Sequence, residues 1–326
     1  MYNCKHIEGV SVTAVADQSK KLLSKAEGFG VKKLYTDYHD LLKYPDSLDA
    51  VIISLPNFLH RESVEVALEA GLNVFVEKPL APTVEECERI VKCVEKSGRK
   101  LMVGHSMRFL DAVERMKDQV ADGHIGSLET ITAEEILNGP FSHGAVPSPI
   151  PEWWFNPETT GGGVLLDLGY HMIDLFRFFA GDADVISSCL DHKMNLPMED
   201  AAILLLRSKS SNTKGIINVG WYQQSIFPSF NFRFIAHGNA GFISTDQFTP
   251  KNMYVHAIKE GTKNLFRKAT GRKIRALSYT YYYEQYIKEM GLFFECINKD
   301  LEPPVTALDG LRTVEVISKA YLMSSP

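Results

Sequence analysis

The sequence predicts two domains, an α/β domain built on a parallel sheet and an α+β domain with a large, mostly antiparallel open sheet. A chain of 326 residues, 45% hydrophobic and 23% charged, is long and apolar enough to form both. From residue 10 to about residue 105, short β-branched runs alternate with amphipathic helical stretches. After about residue 126, longer strand-like runs follow one another with few helices between them. We place the domains at residues 1–108 and 109–326.

The first domain is predicted to contain apolar runs of strand length, each bounded by turn or charged residues. These predicted strands are 10–16, 50–54, 73–76 and 100–104. A helix is predicted to begin after Thr83, which precedes Glu85, Glu86 and an apolar stripe, and to end before Ser97 and Gly98.

The second domain is predicted to contain strands at 128–134, 201–207, 215–223 and 231–237. An open antiparallel sheet often buries its free face against another subunit, so we expect a homodimer or homotetramer. The stretch 138–163 is rich in Pro, Gly, Ser and aromatic residues, and long loops of this kind are more often functional than idle. Its Trp153 and Trp154 are expected either to stack on a sugar ring or to anchor the loop in the core.

Composition excludes several classes of function. The net charge of −5 is spread over both halves of the chain, which disfavours binding to nucleic acid. Five scattered cysteines without a C-x-x-C pair indicate reduced thiols, so we expect a cytoplasmic protein without disulfides or structural zinc. No apolar run approaches the roughly 20 residues that a membrane-spanning helix needs.

The segment 164–181 is apolar on nearly every side, which is typical of a helix buried between layers. Its polar residues Asp167, His171 and Asp174 are spaced i, i+4 and i+7, so an α-helix would place them on one face. Because unpaired burial of such groups is unfavourable, they either form a structural network or line a polar cavity used in catalysis. A metal site that includes His143 is a weaker alternative, since no metal-binding signature supports it.

The predicted strand 73–76 runs directly into Glu77, Lys78 and Pro79. Open α/β sheets bind their ligands at the carboxyl ends of parallel strands. Pro79 restricts Lys78 to an extended conformation, so we expect its ammonium to point out of the sheet. The alternative to a ligand-binding role is that Glu77, Lys78 and Pro79 form a solvated turn.

Asp17 follows the predicted strand 10–16, where a dinucleotide-binding fold places an acid that bonds the ribose 2'-hydroxyl. This position favours NAD over NADP as cofactor. Lys20 and Lys21 follow closely and would tolerate a 2'-phosphate, and a solvated acidic turn remains the alternative.

Four motifs in order make the chain resemble the Gfo/Idh/MocA family of NAD(P)-dependent oxidoreductases. They are VADQS, SLPNFLH at 54–60, VEKPLAPT at 76–83 and GGGVLLDLGYHMIDL at 161–175. The resemblance implies a Rossmann-type first domain, a second domain for substrate binding and oligomerisation, and a catalytic set of Lys78, Asp167 and His171. It also implies that Pro56, Asn57, His60, Glu77 and Arg108 lie beside the cofactor, with Lys78 contacting both cofactor and substrate.

The implied reaction oxidises a secondary alcohol of a sugar or polyol, or runs in reverse. His171 would be the general base toward the hydroxyl, Lys78 would orient the same oxygen, and Asp167 would help to bind the substrate. Two alternatives stay open: a glycoside hydrolase that uses NAD transiently, and a non-catalytic protein that binds a nucleotide or a sugar.

A dinucleotide fold begins with a strand followed by G-x-G-x-x-G, and this pattern is absent from residues 1–326. Residues 1–9 resemble the end of a first helix and the turn into a second strand. We therefore expect a fragment or a misassigned start, with the first strand upstream of Met1. Because that strand is central in the order 3-2-1-4-5-6, its absence would leave unpaired strand edges and weaken cofactor binding.

Overall fold

The computed structural model describes residues 1–137, 151–222, 232–272, 274 and 280–324. They form two compact units. Unit 1 comprises Met1–His105 and Tyr286–Leu311, and unit 2 comprises Ser106–Gln285 and Arg312–Pro326. No helix within the described ranges is both long and apolar enough to span a bilayer.

Unit 1 alternates strands with helices, as its sequence predicts. Its strands are β1 (Ala14–Ala16), β2 (Lys33–Tyr35), β3 (Ala50–Ile53), β4 (Asn73–Glu77) and β5 (Leu101–Gly104). The helices between them are α1 (Lys20–Gly28), α2 (Tyr38–Leu42), α3 (His60–Glu69) and α4 (Val84–Ser97).

Local signals explain the ends of α4. The Thr83 hydroxyl oxygen accepts a hydrogen bond from the Glu86 amide at 3.2 Å, which satisfies a donor of the first turn. Gly98 follows the last turn in a left-handed conformation, with φ of 63°, which a glycine adopts without strain. The predicted helix start is confirmed, and the predicted end is correct to within one residue.

All strand pairs of unit 1 are parallel, which confirms the predicted sheet type. Within the described chain they form two separate sheets, β1–β2 and β3–β4–β5. β4 is buried at its centre, where Val74, Phe75 and Val76 are at most 1% exposed. β1 and most of β3 are only half-buried although their side chains are equally apolar. The break in the sheet therefore lies between β1 and β3.

Unit 2 is built on a six-stranded mixed sheet. Its strands are β6 (Leu128–Ile136), β7 (Ala183–Asp191), β8 (Ala201–Ser208), β9 (Lys214–Gly220), β10 (Phe232–Gly238) and β11 (Gly241–Ser244). In the order β11-β10-β6-β9-β8-β7, the β6–β9 pair is parallel and the other described pairs are antiparallel. The predicted second sheet is thus confirmed, although residues 223 and 231 of two predicted strands lie outside the described residues.

One face of this sheet is covered by a helix. Four helices of unit 2 precede, interrupt or follow these strands in the chain. They are α5 (Asp111–Ala121), α6 (Pro157–Thr160), α7 (Tyr170–Ala180) and α8 (Met253–Ala269). Phe176 of α7 packs so closely on Gly215 of β9 that a Cβ there would lie 2.6 Å from its ring. Along β8, Leu204 and Leu206 are buried whereas Ile203 and Leu205 are exposed, so the opposite face of the sheet carries apolar side chains.

The last helices are α9 (Thr280–Lys299) and α10 (Ala307–Met323). The segment Tyr286–Leu311 belongs to unit 1. There Phe293 packs edge-on against Phe75 of β4, with ring centroids 5.8 Å apart, and the Val305 carbonyl accepts a hydrogen bond from the Val103 amide at 3.1 Å. The sequence predicts a single boundary at 108/109, whereas the structure places the first crossing after His105 and returns later to unit 1. The return depends on long-range packing, which leaves no local signal.

Candidate active site

The Glu-Lys-Pro motif lies at the carboxyl end of β4, as predicted. Glu77 pairs with Gly104 of β5, and a Cβ on Gly104 would lie 3.0 Å from the Glu77 Oε2 atom. Glycine at this position therefore leaves room for the carboxyl group. Burial raises the pKa of Glu77, and the adjacent Lys78 ammonium lowers it in part. The strand end thus presents a cation next to a carboxyl group whose charge is disfavoured.

His60 connects the turns that follow β3 and β4. Its ring is 1% exposed, with Nδ1 2.9 Å from the Pro79 carbonyl oxygen and Nε2 2.8 Å from the Leu55 carbonyl oxygen. Burial lowers the pKa of His60, and the backbone carbonyls oppose that shift. A neutral ring donates to one carbonyl at a time. These contacts favour a role in positioning the two turns, and direct contact with the cofactor stays a prediction for His60 and for Pro56 and Asn57 beside it.

Asp17 lies directly after β1, as predicted. Its Oδ1 atom accepts a hydrogen bond from the Ser19 amide at 2.7 Å, and its own amide donates to the Tyr35 carbonyl at 3.1 Å. Ser19 in turn caps α1 through the Leu22 amide. Asp17 is therefore held at the junction of a parallel strand and the following helix, where an acid would meet a ribose hydroxyl.

The helix with Asp167 and His171 begins with a π-helical turn, Leu165–Gly169, and continues as α7. The prediction of one regular α-helix is wrong here, because the π-helical turn has a wider hydrogen-bond spacing than the α-helix. Asp174 accordingly does not share the environment of the other two. From Val164 to Phe176, Asp167 and His171 are half-buried while every other residue is buried. The structure thus brings these two ionisable groups to the partly exposed side of an otherwise buried segment.

Asp174 forms a buried ion pair with Arg108. The guanidinium donates through Nε to Oδ2 at 2.8 Å and through Nη2 to Oδ1 at 2.5 Å. Both side chains are under 10% exposed, and removing one partner of such a pair costs about 3–5 kcal/mol of stability. Asp174 therefore has the structural role that was one of the two predicted alternatives. Cofactor contact by Arg108 stays a prediction.

Glu199, which is not among the residues predicted from the sequence, supports the start of the same helical segment. Its carboxylate accepts hydrogen bonds from the Gly163 amide at 3.0 Å, the Leu165 amide at 3.0 Å and the Tyr321 hydroxyl at 2.7 Å. Burial raises the pKa of Glu199, and the Tyr321 and amide hydrogen bonds oppose it. A Cβ on Gly163 would lie 2.2 Å from the Glu199 carbonyl oxygen, so the glycine permits this approach. The acidic residues Glu199 and Asp200 just before the apolar β8 were the available signal.

Trp153 and Trp154 lie in a 3-10 turn, Glu152–Phe155, and both are half-buried. The Trp154 ring lies 5.0 Å from the ring of the buried Trp221, which favours the anchoring alternative for this residue. Contact with a sugar ring stays a prediction for both. Among the described residues, no group of three His, Cys, Asp or Glu side chains is arranged to hold a metal, and His143 lies outside them.

The residues of unit 1 fit a dinucleotide only in part. Asp17 directly follows β1, a turn follows β3, and Glu77 ends β4 with Lys78 directly after it. A dinucleotide fold binds its ligand at the carboxyl ends of its strands, and contact of these residues with a dinucleotide stays a prediction. Residues before β1 form a 3-10 turn, Asn3–His6, and no strand with a glycine-rich turn occurs among them. Residues 1–13 therefore supply no glycine-rich turn whose backbone amides could bind a pyrophosphate.

Two family profiles match the chain. Residues 2–105 match the oxidoreductase family with an NAD-binding Rossmann fold, and residues 113–244 match the GFO/IDH/MocA C-terminal domain.

Named relatives and solved structures agree with these profiles. A 1,5-anhydro-D-fructose reductase of Ensifer adhaerens is 30% identical over 191 residues, which cover 59% of this chain and 55% of the reductase. A myo-inositol 2-dehydrogenase of Thermotoga maritima is 26% identical over 320 residues, which cover 94% of this chain and 87% of that enzyme. The match thus spans just over half of the reductase and most of the dehydrogenase.

An oxidoreductase from Agrobacterium radiobacter, solved with NAD+, L-tartaric acid and magnesium, has the same fold. Its TM-score is 0.78 at 18% identity, and the match covers 99% of this chain and 92% of that one. The predicted fold class and family are confirmed. The chain therefore belongs to the Gfo/Idh/MocA family of oxidoreductases, with an NAD-binding Rossmann fold followed by the family's C-terminal domain.

Proposed function

We propose that the protein transfers a hydride between NAD and a secondary alcohol of a sugar, polyol or sugar derivative. One observation carries this proposal: in the buried segment from Val164 to Phe176, only Asp167 and His171 keep part of their surface exposed. Ionisable groups held at the edge of an apolar environment are suited to binding and proton transfer. The reductase and dehydrogenase activities named for the relatives support the same reaction class.

Each catalytic residue has a proposed task. His171 takes the proton of the substrate hydroxyl, since an imidazole titrates near neutral pH. Lys78 orients the same oxygen and stabilises negative charge that develops on it. Asp167 binds a neighbouring hydroxyl, and Trp153 and Trp154 contact the apolar side of the sugar. NAD supplies the hydride chemistry when it is bound.

The cofactor contacts are proposed from the strand ends. Asp17 bonds the adenosine ribose, and this supports NAD over NADP, although Lys20 and Lys21 lie close in sequence. The remaining proposed contacts are Pro56, Asn57, His60, Glu77, Lys78 and Arg108.

Single substitutions in the catalytic set test the proposal. Lys78→Ala and His171→Ala are each expected to lower kcat by about 10²- to 10⁴-fold, because proton transfer and oxygen orientation are lost. Their melting temperatures should stay close to that of the unaltered protein. The measurement is absorbance at 340 nm while NAD is offered with a panel of polyols, inositols and sugars.

Lys92→Ala and His192→Ala are matched controls, because both side chains are exposed and neither belongs to the proposed set. Their activity should be unchanged. A Lys78→Ala or His171→Ala protein that is fully active, or that is unfolded, would contradict the assignment.

Two other functions stay open as alternatives: a non-catalytic protein that binds a sugar or a nucleotide, and a glycoside hydrolase that uses NAD transiently. Net NADH formation supports the dehydrogenase, glycoside cleavage without net NADH supports the hydrolase, and ligand binding without turnover supports the binding protein.

We also propose a homodimer or homotetramer in the cytoplasm. The exposed face of the unit 2 sheet carries Ile186, Ile203, Leu205 and Ile216, each at least 36% exposed, which supports contact with a second copy. All five cysteines are free thiols, which supports a reducing compartment.

A further inference from the structure

Helix α8 of unit 2 turns large apolar side chains toward solvent. Ile258, Leu265 and Phe266 are 68%, 71% and 65% exposed. Among the described large apolar side chains, only Leu322 is more exposed. The three residues recur at i, i+7 and i+8, so the helix places them on one face, and the exposed Val255 extends this face by one turn. We call these four side chains the apolar face of α8.

The opposite face of α8 is polar and protected from solvent. Glu260 and Asn264 are buried, and Arg267, at i+7 from Glu260, is half-buried on the same side of the helix. The Arg267 guanidinium donates to the Asn264 Oδ1 atom at 2.8 Å and to the Glu260 Oε2 atom at 3.2 Å. A surface helix normally turns its apolar side to the core. Because α8 does the reverse, packing within the protein does not account for its apolar face.

Basic side chains flank the apolar face. At about 100° of rotation per residue, Lys259 lies on one side of this face and Lys268 on the other, and both are exposed. The helix contains four basic residues and one acidic residue. The wider stretch 251–275 contains eight basic residues and one acidic residue, whereas the whole chain has a net charge of −5. Positive charge is therefore concentrated around the apolar face.

An anionic lipid bilayer matches this combination of apolar and basic side chains. The apolar face of an interfacial helix enters the boundary between headgroups and acyl chains by about 5–10 Å, while basic side chains beside it meet the phosphates. The flexible stems of lysines let their ammonium groups reach the headgroups. A nucleic acid offers phosphates but no apolar phase. Packing against α8 of a second copy would bring Lys259 and Lys268 close to their counterparts, and like charges oppose such contact.

We propose that α8 binds the protein to the surface of an anionic bilayer and lies in the plane of that surface. Ile258, Leu265 and Phe266 enter the lipid, and Lys259 and Lys268 contact the headgroups. The 17 residues of α8 form a helix about 26 Å long, and its polar face stays with the protein. The apolar face contains none of the residues proposed for hydride transfer, so this inference does not depend on the proposed function.

The test measures how the 326-residue protein partitions onto lipid vesicles by flotation. One set of vesicles contains phosphatidylcholine alone, and the other contains phosphatidylcholine with phosphatidylserine. A Phe266→Trp variant reports insertion directly, because lipid shifts indole emission to shorter wavelength and brominated lipid quenches it. The unaltered protein, which has three tryptophans elsewhere, supplies the baseline spectrum.

We expect binding to the anionic vesicles to exceed binding to the neutral ones by about tenfold or more, since each basic side chain near such a surface contributes about fivefold. High salt should weaken this binding. The double variant Ile258→Glu, Leu265→Glu should lower the partition coefficient by about tenfold or more, because buried apolar area is lost and the new charges are repelled. The double variant Lys259→Glu, Lys268→Glu should weaken binding to the anionic vesicles by a similar factor.

Matched controls lie on other helices. Leu322→Glu removes an exposed apolar side chain of α10, and Lys92→Glu removes an exposed basic side chain of α4. Both variants should bind the anionic vesicles as the unaltered protein does. Substitutions at exposed positions usually change stability little, so all variants should keep the melting temperature of the unaltered protein.

Several results would overturn the membrane-binding role of α8. They include the absence of binding to anionic vesicles, equal binding by the unaltered protein and the Ile258→Glu, Leu265→Glu variant, and an indole at position 266 that lipid neither shifts nor quenches. Binding to soluble polyglutamate as tight as to anionic vesicles would instead assign the face to an acidic polypeptide. A lower sedimenting mass of the Ile258→Glu, Leu265→Glu variant, without vesicle binding by the unaltered protein, would assign it to a second copy.

Discussion

Three buried polar residues contact three different kinds of partner in this protein. His60 faces two backbone carbonyls, Asp174 holds the Arg108 guanidinium, and Glu199 binds backbone amides at the start of the π-helical turn. Burial of each polar group is compensated by hydrogen bonds, as it must be inside a protein. None of them needs to touch a ligand to matter for the site, because each fixes the backbone or side chains around residues proposed to bind one.

Because His60 is buried, the free energy of unfolding should depend on pH in a defined direction. Its pKa is lowered in the folded state, so between that value and the ordinary histidine pKa of about 6.5 the unfolded chain binds more protons. Stability is therefore complete above the unfolded pKa and is lost as the pH falls through this window. We expect the free energy of unfolding in urea to decrease from pH 7.5 to pH 5.5 more steeply in the unaltered protein than in His60→Gln.

The comparison with His60→Gln removes the contribution of the other histidines, which are common to both proteins. Glutamine retains two N–H donors for the Leu55 and Pro79 carbonyls without titrating. An equal slope in the two proteins, or a steeper slope in His60→Gln, would show that the carbonyls and not burial determine the protonation of His60.

At the scale of elements, the glycine run before the π-helical turn joins two distant parts of unit 2. The Gly163 amide reaches the Glu199 carboxylate, and Tyr321 of α10 donates to the same carboxylate. Position 163 has no space for a side chain, because Glu199 approaches its Cα directly. The helical segment with Asp167 and His171 is thus positioned by contacts at its first residues.

Gly163→Ala is expected to destabilise the protein by about 1–3 kcal/mol, the usual range for a forced overlap in a packed region. The free energy of unfolding in urea measures this effect. Gly241→Ala is the matched control, because a Cβ on Gly241 of β11 would meet nothing within 4 Å. Equal stability of the two variants would contradict the close approach described for Glu199.

The sequence predicts those elements whose signals are local. The strand ends with Asp17 and Lys78, and the helix capped by Thr83, were predictable because apolar runs, caps and turn residues lie next to each other in the chain. The π-helical turn was not, since its residues are as apolar as those of an α-helix. The Glu199–Tyr321 hydrogen bond joins residues 122 positions apart, and no periodicity in the sequence indicates such a contact.

For the whole molecule, the main prediction concerns association. The bare face of the unit 2 sheet places Leu205 directly opposite Ile216, with Ile203 nearby on β8. A contiguous apolar surface of this kind favours burial against another copy. We expect the unaltered protein to sediment as a dimer or tetramer, and the double variant Ile203→Glu, Ile216→Glu to sediment as a monomer, because paired charges would oppose close contact.

Leu322→Glu serves as the control for that experiment. Leu322 is 76% exposed but lies on α10, outside the sheet, so the variant should keep the association state of the unaltered protein. A monomeric unaltered protein would rule out this interface.

Because unit 1 is divided between two stretches of chain, it cannot complete its core until late in translation. Its core needs Phe293 and Val305 as well as β4 and β5, yet roughly 180 residues separate His105 from Tyr286. At about 5–20 residues per second, a ribosome takes on the order of 10–40 s to translate that interval. During this time the nascent β3–β4–β5 layer exposes apolar surface, so chaperone binding should be strongest there until about the last eighth of the polypeptide, from Tyr286 onward, emerges.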